Sequence, residues 1–344
     1  VTALTWPDVL TSVVGRNDLS SEQTRWAMGQ ILTGQATPSQ IAGFATALQS
    51  KGVTVEEVNG LVDAMFAQAT PLSVPGRSLD IVGTGGDRSF SVNISSMASI
   101  VAAGAGAQVV KHGNRSASSK SGSADVLEAM GVRLDLDPAG VAKVAAQAGI
   151  TFCFAPIFHS ALRHAGVPRR ELGIATFFNI LGPLTNPARP SAAAIGCAFP
   201  GMSEVIAGVF AKRSVDALVF RGDDGLDELT TTTTSQVWSV HDGEVSRSTL
   251  DPRELGLPLA TAEDLRGGDT QHNADVIRRI LAGETGPVRD AVVLNAGAAL
   301  AVFDGDLGDV NAAVAAGMSR AAEAIDSGAA RGTLERWVTA CASA

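Results

Sequence analysis

The pattern of apolar and polar positions divides the chain near residue 72. Up to that point apolar residues recur at helical spacing and no β-branched run interrupts them. Three start signals repeat. Ser20 with Gln23 precedes TRWAMGQIL, Thr37 with Gln40 precedes IAGFATALQ, and Thr54 with Glu57 precedes VNGLVDAMFAQ. Each pair has the spacing of a capping box, in which two side chains satisfy each other's free backbone N–H groups. Pro38 stands at a first helical position, where a missing N–H costs nothing. Gly52 reads as a helix stop. These signals predict a small helical domain over residues 1–72, and PLSVPG at 71–76 then breaks the pattern as a hinge.

Beyond the hinge, short apolar runs alternate with helical stretches. Strands are predicted at 79–82, 108–110, 151–154, 193–197, 217–220 and 236–240. Helices are predicted at 96–104, 124–130, 138–148, 202–212 and 274–282. Such alternation implies an α/β domain with a mostly parallel central sheet and helices on its faces. Ligands of these sheets bind at the carboxyl ends of the strands.

Composition narrows the function classes. The 344 residues are 45% hydrophobic and 18% charged, ordinary for a globular chain and enough for two domains. The net charge of −9 argues against a general nucleic-acid partner but allows a local basic pocket. Cys153, Cys197 and Cys341 are scattered, as expected of incidental thiols in a reducing compartment. VTALTWPDVL lacks the basic and apolar regions of a signal peptide. The longest apolar runs, 98–110 and 291–303, fall short of the roughly 18 residues of a membrane span and read as buried helix or strand. A cytoplasmic protein with no membrane partner is expected.

Candidate chemistry lies in loops that follow predicted strands. LDIV leads into GTGGDRSFSVNISS at 83–96, and AQVV leads into KHGNRSASSKSGSADVLEAMG at 111–131. Strand, glycine-rich loop, helix is an arrangement that binds phosphate through backbone N–H groups and the helix N-terminus. Two such loops, one with Lys111 and Arg115, suggest a ligand with phosphate at both ends. The first reads as a diphosphate cradle, with Ser95 able to reach a metal, or as a tight turn with a polar cap. In the second, Lys111 would act as a point cation. A third loop, RGDDGLDELTTTTTS at 221–235, groups Asp223, Asp224, Asp227 and Glu228. It reads as a magnesium diphosphate site or as a solvated acidic turn. FHSALRHAGVPRRELG at 158–173 offers an arginine fork for a carboxylate, or a basic helix face. His241 and His272 read as surface or capping residues. The sequence has no hydrolase elbow, no His-Glu-x-x-His and no zinc-type Cys pair. That suits a reaction driven by departure of diphosphate, where the protein positions groups and stabilises charge.

GTGGD, NIS, KHGNRSASSKSGSADVLEAMG, RRELG, FNILGPLTNPARP and DGLDE, in this order, resemble the anthranilate phosphoribosyltransferase family along essentially the whole chain. The resemblance implies the nucleoside phosphorylase/phosphoribosyltransferase fold. A helical domain, 1–72, would be rejoined by about 160–187, and 73–159 with 188–344 would form the α/β domain. It implies a homodimer formed through the helical domains. It also implies transfer of the phosphoribosyl group of 5-phosphoribosyl 1-diphosphate to the amine of anthranilate, in tryptophan biosynthesis.

Carried over by the resemblance, the phosphoribosyl diphosphate contacts are Gly83, Gly86, Asp87, Ser91, Asn93, Ile94, Ser95 and Ser96 from the first loop. Lys111, His112, Gly113, Asn114, Arg115, Ser116, Ala117, Ser118, Ser119 and Ser123 follow from the second. Lys111 and His112 would stabilise the transition state, with no nucleophile. Gly83, Asn114, His159 and Arg169 would bind anthranilate, with His112 also lining its path. Ser95, Asp227 and Glu228 would hold magnesium, two ions per subunit.

The chain departs from the family pattern at three places. Arg88 follows GTGGD where glycine is usual, and is expected to point to solvent rather than to the diphosphate. Ser160 replaces the usual proline after His159. Pro168 precedes the arginine pair and is expected to bias Val167 away from helix. A pyrimidine nucleoside phosphorylase shares the architecture, but KHGN with DGLDE favours the transferase. A non-catalytic nucleic-acid-binding relative would be expected to show a basic stripe and to lack the acidic loop.

Overall fold

The computed structural model describes residues 3–115 and 120–344. Ser116, Ala117, Ser118 and Ser119 of the second loop lie outside the described residues. The chain opens with four helices, α1 (Trp6–Val14), α2 (Ser21–Leu32), α3 (Pro38–Lys51) and α4 (Val55–Gln68). All three capping boxes form: Gln23, Gln40 and Glu57 answer Ser20, Thr37 and Thr54. Gly52 ends α3 at φ 87°, a left-handed conformation that suits glycine. The sequence reading gave no start signal for α1, although Thr5 caps it and Pro7 sits in its first turn.

The sheet domain follows as β1 (Leu79–Gly83), α5 (Ile94–Gly104), β2 (Val109–Gly113), α6 (Ser123–Ala129), α7 (Pro138–Ala148) and β3 (Ile150–Phe154). A crossing segment comes next, with α8 (Ala155–Phe158), a 3₁₀ turn (Ser160–Ala165), α9 (Gly166–Leu172) and α10 (Phe178–Leu184). Then come β4 (Ala192–Gly196), α11 (Met202–Lys212), β5 (Asp216–Gly222), β6 (Ser235–His241) and β7 (Glu244–Leu250). Four helices close the chain: α12 (Thr270–Leu281), α13 (Pro287–Asp304), α14 (Val310–Asp326) and α15 (Ala329–Ala342). Among the described residues no helix is long and apolar enough to cross a membrane.

The strands form one seven-stranded sheet in the order β3-β2-β1-β4-β5-β6-β7. The five strands from β3 to β5 are parallel, and β6 and β7 add an antiparallel hairpin. Side chains alternate between the two faces. In β5, Leu218 and Phe220 join one core with α5, α13 and α15, while Ala217 and Val219 join a second core with α11 and the N-terminal helices. The crossing segment packs back on those helices: the 3₁₀ turn lies on α2 and α9 lies on α3.

Two local expectations are corrected. β2 does not end at Val110 but runs through Lys111, His112 and Gly113, paired in register with Phe152, Cys153 and Phe154. Val167 lies inside α9. Pro168 falls in the first turn of that helix, where its missing N–H has no intrahelical partner to lose.

Candidate active site

The first glycine loop leaves the carboxyl end of β1 and meets the acidic loop that follows β5. Gly83 and Gly196 make the meeting possible. A Cβ on Gly83 would lie 2.3 Å from Asp227 Oδ2, and one on Gly196 would lie 1.6 Å from the Asp227 carbonyl oxygen. Into that space Asp227 brings its carboxylate, which accepts from the Gly85 N–H at 2.6 Å. Glu228 Oε1 accepts from the Ser95 N–H at 3.2 Å, in the first turn of α5. Asn295 of α13 holds the next residue on both sides, accepting from Leu229 N and donating to Leu229 O, each at 2.9 Å.

Both carboxylates are buried. Burial pushes the Asp227 carboxyl well above its usual range, and the nearby Asp87 charge adds to this. Glu228 is raised by burial and then by Asp227. Lys111, 1% exposed, provides the opposing charge; its ammonium donates to the Ile81 carbonyl within the field of Asp80, Glu228 and Asp227. Burial lowers its pKa.

The structure splits the acidic cluster expected from the sequence. Asp224 accepts from Leu226 N, Thr230 Oγ1 and Thr232 Oγ1, at 3.0, 2.8 and 2.5 Å. Asp223 is tied to Thr234 and Gln236. These two acids use the threonine run to brace the loop, and only Asp227 and Glu228 turn inward. Among the described residues no three His, Cys, Asp or Glu side chains converge as a protein-only metal cage.

The other first-loop residues fall into two groups. Gly86, at φ 90°, lies beside the Phe199 ring. Asp87 and Ser91 are half-buried, and Ser89 links them, donating from N to Asp87 Oδ1 at 3.3 Å and from Oγ to Ser91 Oγ at 3.2 Å. Asn93 is already held, donating to Ser121 O at 3.1 Å and accepting from Asn273 at 2.9 Å. Ile94 and Ser96 are buried; the Ile94 N–H is bonded to Val92 O. Arg88 is exposed at φ 60° and makes no ion pair among the described residues.

Successive side chains of β2 point to opposite faces. Lys111 faces the carboxylates, and His112 faces α10. His112 Nδ1 lies 2.9 Å from Gly182 O, and His159 Nε2 lies 2.7 Å from Thr185 O. A carbonyl only accepts, so these nitrogens carry the protons, and the other nitrogen of each ring holds none and has no hydrogen-bond partner among the described residues. The rings meet edge to face at 5.2 Å. Burial lowers the His112 pKa to about 3, helped by His159, and burial also lowers that of His159. Both are neutral. Beside them Gly182 is exposed, and a Cβ there would meet nothing within 4 Å, so α10 borders open space.

Asp80 is a buried acid that the sequence reading passed over. Its carboxylate accepts from His112 N at 3.0 Å and from Asn186 Nδ2 at 2.8 Å. Burial raises its pKa to about 6 against the pull of Lys111. Asn186 also donates to Val110 O at 2.7 Å, tying the end of the crossing segment to β2. The available signal was an aspartate inside an apolar strand.

The second loop is partly described. Gly113 and Ser123 are in close contact, since a Cβ on Gly113 would lie 2.8 Å from Ser123 Oγ. Asn114 is exposed and accepts from Arg115 N at 2.7 Å. Arg115 is engaged by Asp125 and Glu128 of α6, at 2.8 and 2.9 Å. Arg169 is half-buried and Arg170 is exposed. His241 pairs with Asp216 at the surface, and His272 lies in the exposed first turn of α12.

Comparison with known proteins covers the same elements. Residues 7–69 match the helical bundle domain of a glycosyl transferase family, and residues 76–331 match its a/b domain. The anthranilate phosphoribosyltransferase of Nocardioides sp. is 68% identical over 98% of this chain and 99% of its own. That of Thermobifida fusca is 58% identical over 97% and 96%. The crystal structure of the Thermus thermophilus enzyme superposes with a TM-score of 0.91 at 38% identity, over 97% of this chain and 99% of that one. The Saccharomyces cerevisiae enzyme, in complex with PRPP and Mg, superposes at 0.90 with 25% identity, over 100% and 99%. With this identity along nearly its whole length, and the glycine loop, acidic pair and buried lysine joined in one site, the chain belongs to the anthranilate phosphoribosyltransferase family.

Proposed function

We propose that this chain transfers the phosphoribosyl group of 5-phosphoribosyl 1-diphosphate to the amine of anthranilate, giving N-(5-phosphoribosyl)anthranilate and diphosphate. The bond between the anomeric carbon and the diphosphate oxygen breaks, a carbon–nitrogen bond forms, and the amine nitrogen gives up a proton. The observation that carries the reading is the buried Asp227–Glu228 pair at the mouth of the glycine loop, with Lys111 opposite.

The acidic pair fits a hard divalent cation. Two carboxylates, Asp227 raised by burial and by Asp87, and Glu228 raised by burial and by Asp227, leave negative charge that one lysine offsets only in part. Magnesium takes a few carboxylates plus water and substrate phosphate. Asp227, Glu228 and the Ser95 hydroxyl would hold it, and we put the number at two ions per subunit. When bound, magnesium would offset the charge that develops on the departing diphosphate. The glycine-loop N–H groups without a partner among the described residues, those of Gly86, Asp87 and Arg88, would orient the phosphates, helped by the positive end of α5. Lys111 adds a fixed cation where charge accumulates.

On the other face of β2, the proton-free nitrogens of His112 and His159 are suited to accept from the aromatic amine. Neither needs to be a strong base, because the attacking amine is neutral. Gly83, Asn114 and Arg169 are assigned to the anthranilate side. The remaining first-loop residues, with Gly113, Arg115, Ser123 and residues 116–119, are assigned to the phosphoribosyl side. We further propose that the chain works in tryptophan biosynthesis as a cytoplasmic homodimer joined through its N-terminal helices.

Diphosphate release decides the reading. With phosphoribosyl diphosphate and magnesium, anthranilate should trigger stoichiometric release, and uridine with phosphate should yield no uracil. Uracil formation in place of anthranilate-dependent release would favour the phosphorylase instead.

A further inference from the structure

We propose that Phe178 is a positioning residue for the acceptor site, its ring face setting the guanidinium of Arg169. The inference rests on the assignment of Arg169 to the anthranilate carboxylate. Arg169 Cζ lies 4.9 Å from the centroid of the Phe178 ring. Among the described residues no carboxylate pairs with this half-buried cation, and no carbonyl accepts from its side chain. A guanidinium removed from water needs compensation. An aromatic face supplies it without using any of the five N–H donors. A protein carboxylate in that place would neutralise the charge and compete with the carboxylate of the substrate. The ring leaves the donor fork free. Arg115 and Arg213 also stand over rings, but both are ion-paired, and Arg189 is exposed.

The ring is itself fixed. Phe178 is 5% exposed and packs on Phe177 at 4.2 Å between centroids. Phe177 meets Phe44 of α3 at 5.6 Å, and Phe44 meets Trp6 of α1 at 5.9 Å. This row of rings anchors α10 to the N-terminal helices. Residues four apart share a helix face, so Phe178 and Gly182 lie one turn apart on the same side of α10. Phe178 meets Arg169 there, and Gly182 O meets His112. One turn of α10 thus contacts both the arginine that would take the carboxylate, through the Phe178 ring, and the histidine that would meet the amine, through the Gly182 carbonyl. Burial lowers the Arg169 pKa, in keeping with its lack of a counter-ion.

The test uses Phe178→Leu and Phe178→Met, which keep apolar bulk and remove the ring, and Phe178→Tyr, which keeps it. Steady-state kinetics should show anthranilate KM raised about tenfold in the Leu and Met variants. The phosphoribosyl diphosphate KM and kcat should stay within about twofold, the signature of lost binding to one substrate. The Tyr variant should retain the wild-type anthranilate KM. In an Arg169→Ala background, Phe178→Leu should add nothing further. Equal rises for both substrates, a Tyr variant as impaired as Leu, or an unchanged anthranilate KM in Leu and Met would overturn the inference. If Arg169→Ala raises the anthranilate KM while the Phe178 variants do not, this inference alone fails. If Arg169→Ala leaves it unchanged, the assignment of Arg169 fails as well.

Discussion

Gly196→Ala is a one-carbon change at a residue assigned no substrate contact of its own, paired across the sheet with Gly83, yet it should disable the acidic pair. The added Cβ would sit 1.6 Å from the Asp227 carbonyl oxygen, 2.3 Å from its carbonyl carbon and 3.1 Å from Glu228 N. All three are backbone atoms, so no side-chain rotation relieves the clash. A normal carbon–oxygen contact would require the acidic loop to move by about 1.5 Å, a displacement of the kind that overpacking forces at a typical cost of about 1–3 kcal/mol. The movement would pull Asp227 off the Gly85 N–H and Glu228 off the Ser95 N–H, now at 2.6 and 3.2 Å. A lost bond to a charged acceptor adds about 1.5–3 kcal/mol. We expect a stability loss of about 3 kcal/mol in denaturant unfolding. The magnesium needed for half-maximal turnover should rise at least about tenfold, which corresponds to about 1.4 kcal/mol of lost cation binding. Titrating activity with magnesium chloride, alongside urea melts, checks both. Wild-type stability with a wild-type magnesium response would refute the claim that the two glycines exist to admit this loop.

Other outcomes follow from single features. Arg88→Gly relaxes a left-handed residue and should raise stability by about 0.5–1 kcal/mol in denaturant unfolding, since glycine adopts that conformation without strain. Its affinity for phosphoribosyl diphosphate by isothermal titration should be unchanged at two salt concentrations; a tenfold, salt-sensitive loss would show that the guanidinium reaches the diphosphate. The His112 pKa is depressed to about 3 in the folded chain, so the unfolded chain binds the extra proton first as pH falls. Stability should therefore decline from about pH 6.5 downward, and His112→Gln should flatten that decline in unfolding measured across pH. A decline of unchanged steepness in that variant would refute it.

The sequence carried much of the fold because local signals agreed. Capping residues, Pro38 and Gly52 named the starts and stops of three N-terminal helices, and the central strands were visible as apolar runs. It failed where polarity and burial part company. Lys111 and His112 looked like a solvent loop because they are polar, yet they continue β2, one held by Ile81 and the acids, the other by Gly182. β7, EVSRSTL, was missed because an edge strand largely open to solvent shows no apolar face, although the Asp242-Gly243 turn before it is a hairpin signal. Taken by its residues alone, the acidic loop is a cluster of four carboxylates; the family resemblance singles out Asp227 and Glu228, and tertiary packing supplies the physical reason, since the other two acids brace the loop. Asp80, Asn186, Asn295 and Phe178 escaped because each acts through partners distant in sequence.

The central claim is that Asp227 and Glu228 couple magnesium to departure of diphosphate. The most direct measurement is the rate of anthranilate-dependent diphosphate release against magnesium concentration, for the wild type and for Asp227→Asn combined with Glu228→Gln. Both substitutions keep shape and remove charge. The account predicts a folded variant with the wild-type Tm or higher, because two buried acids are relieved. Turnover should fall by about three orders of magnitude, a loss comparable to removing one preorganised stabilising group. A double variant whose rate and magnesium response match the wild type would contradict the account.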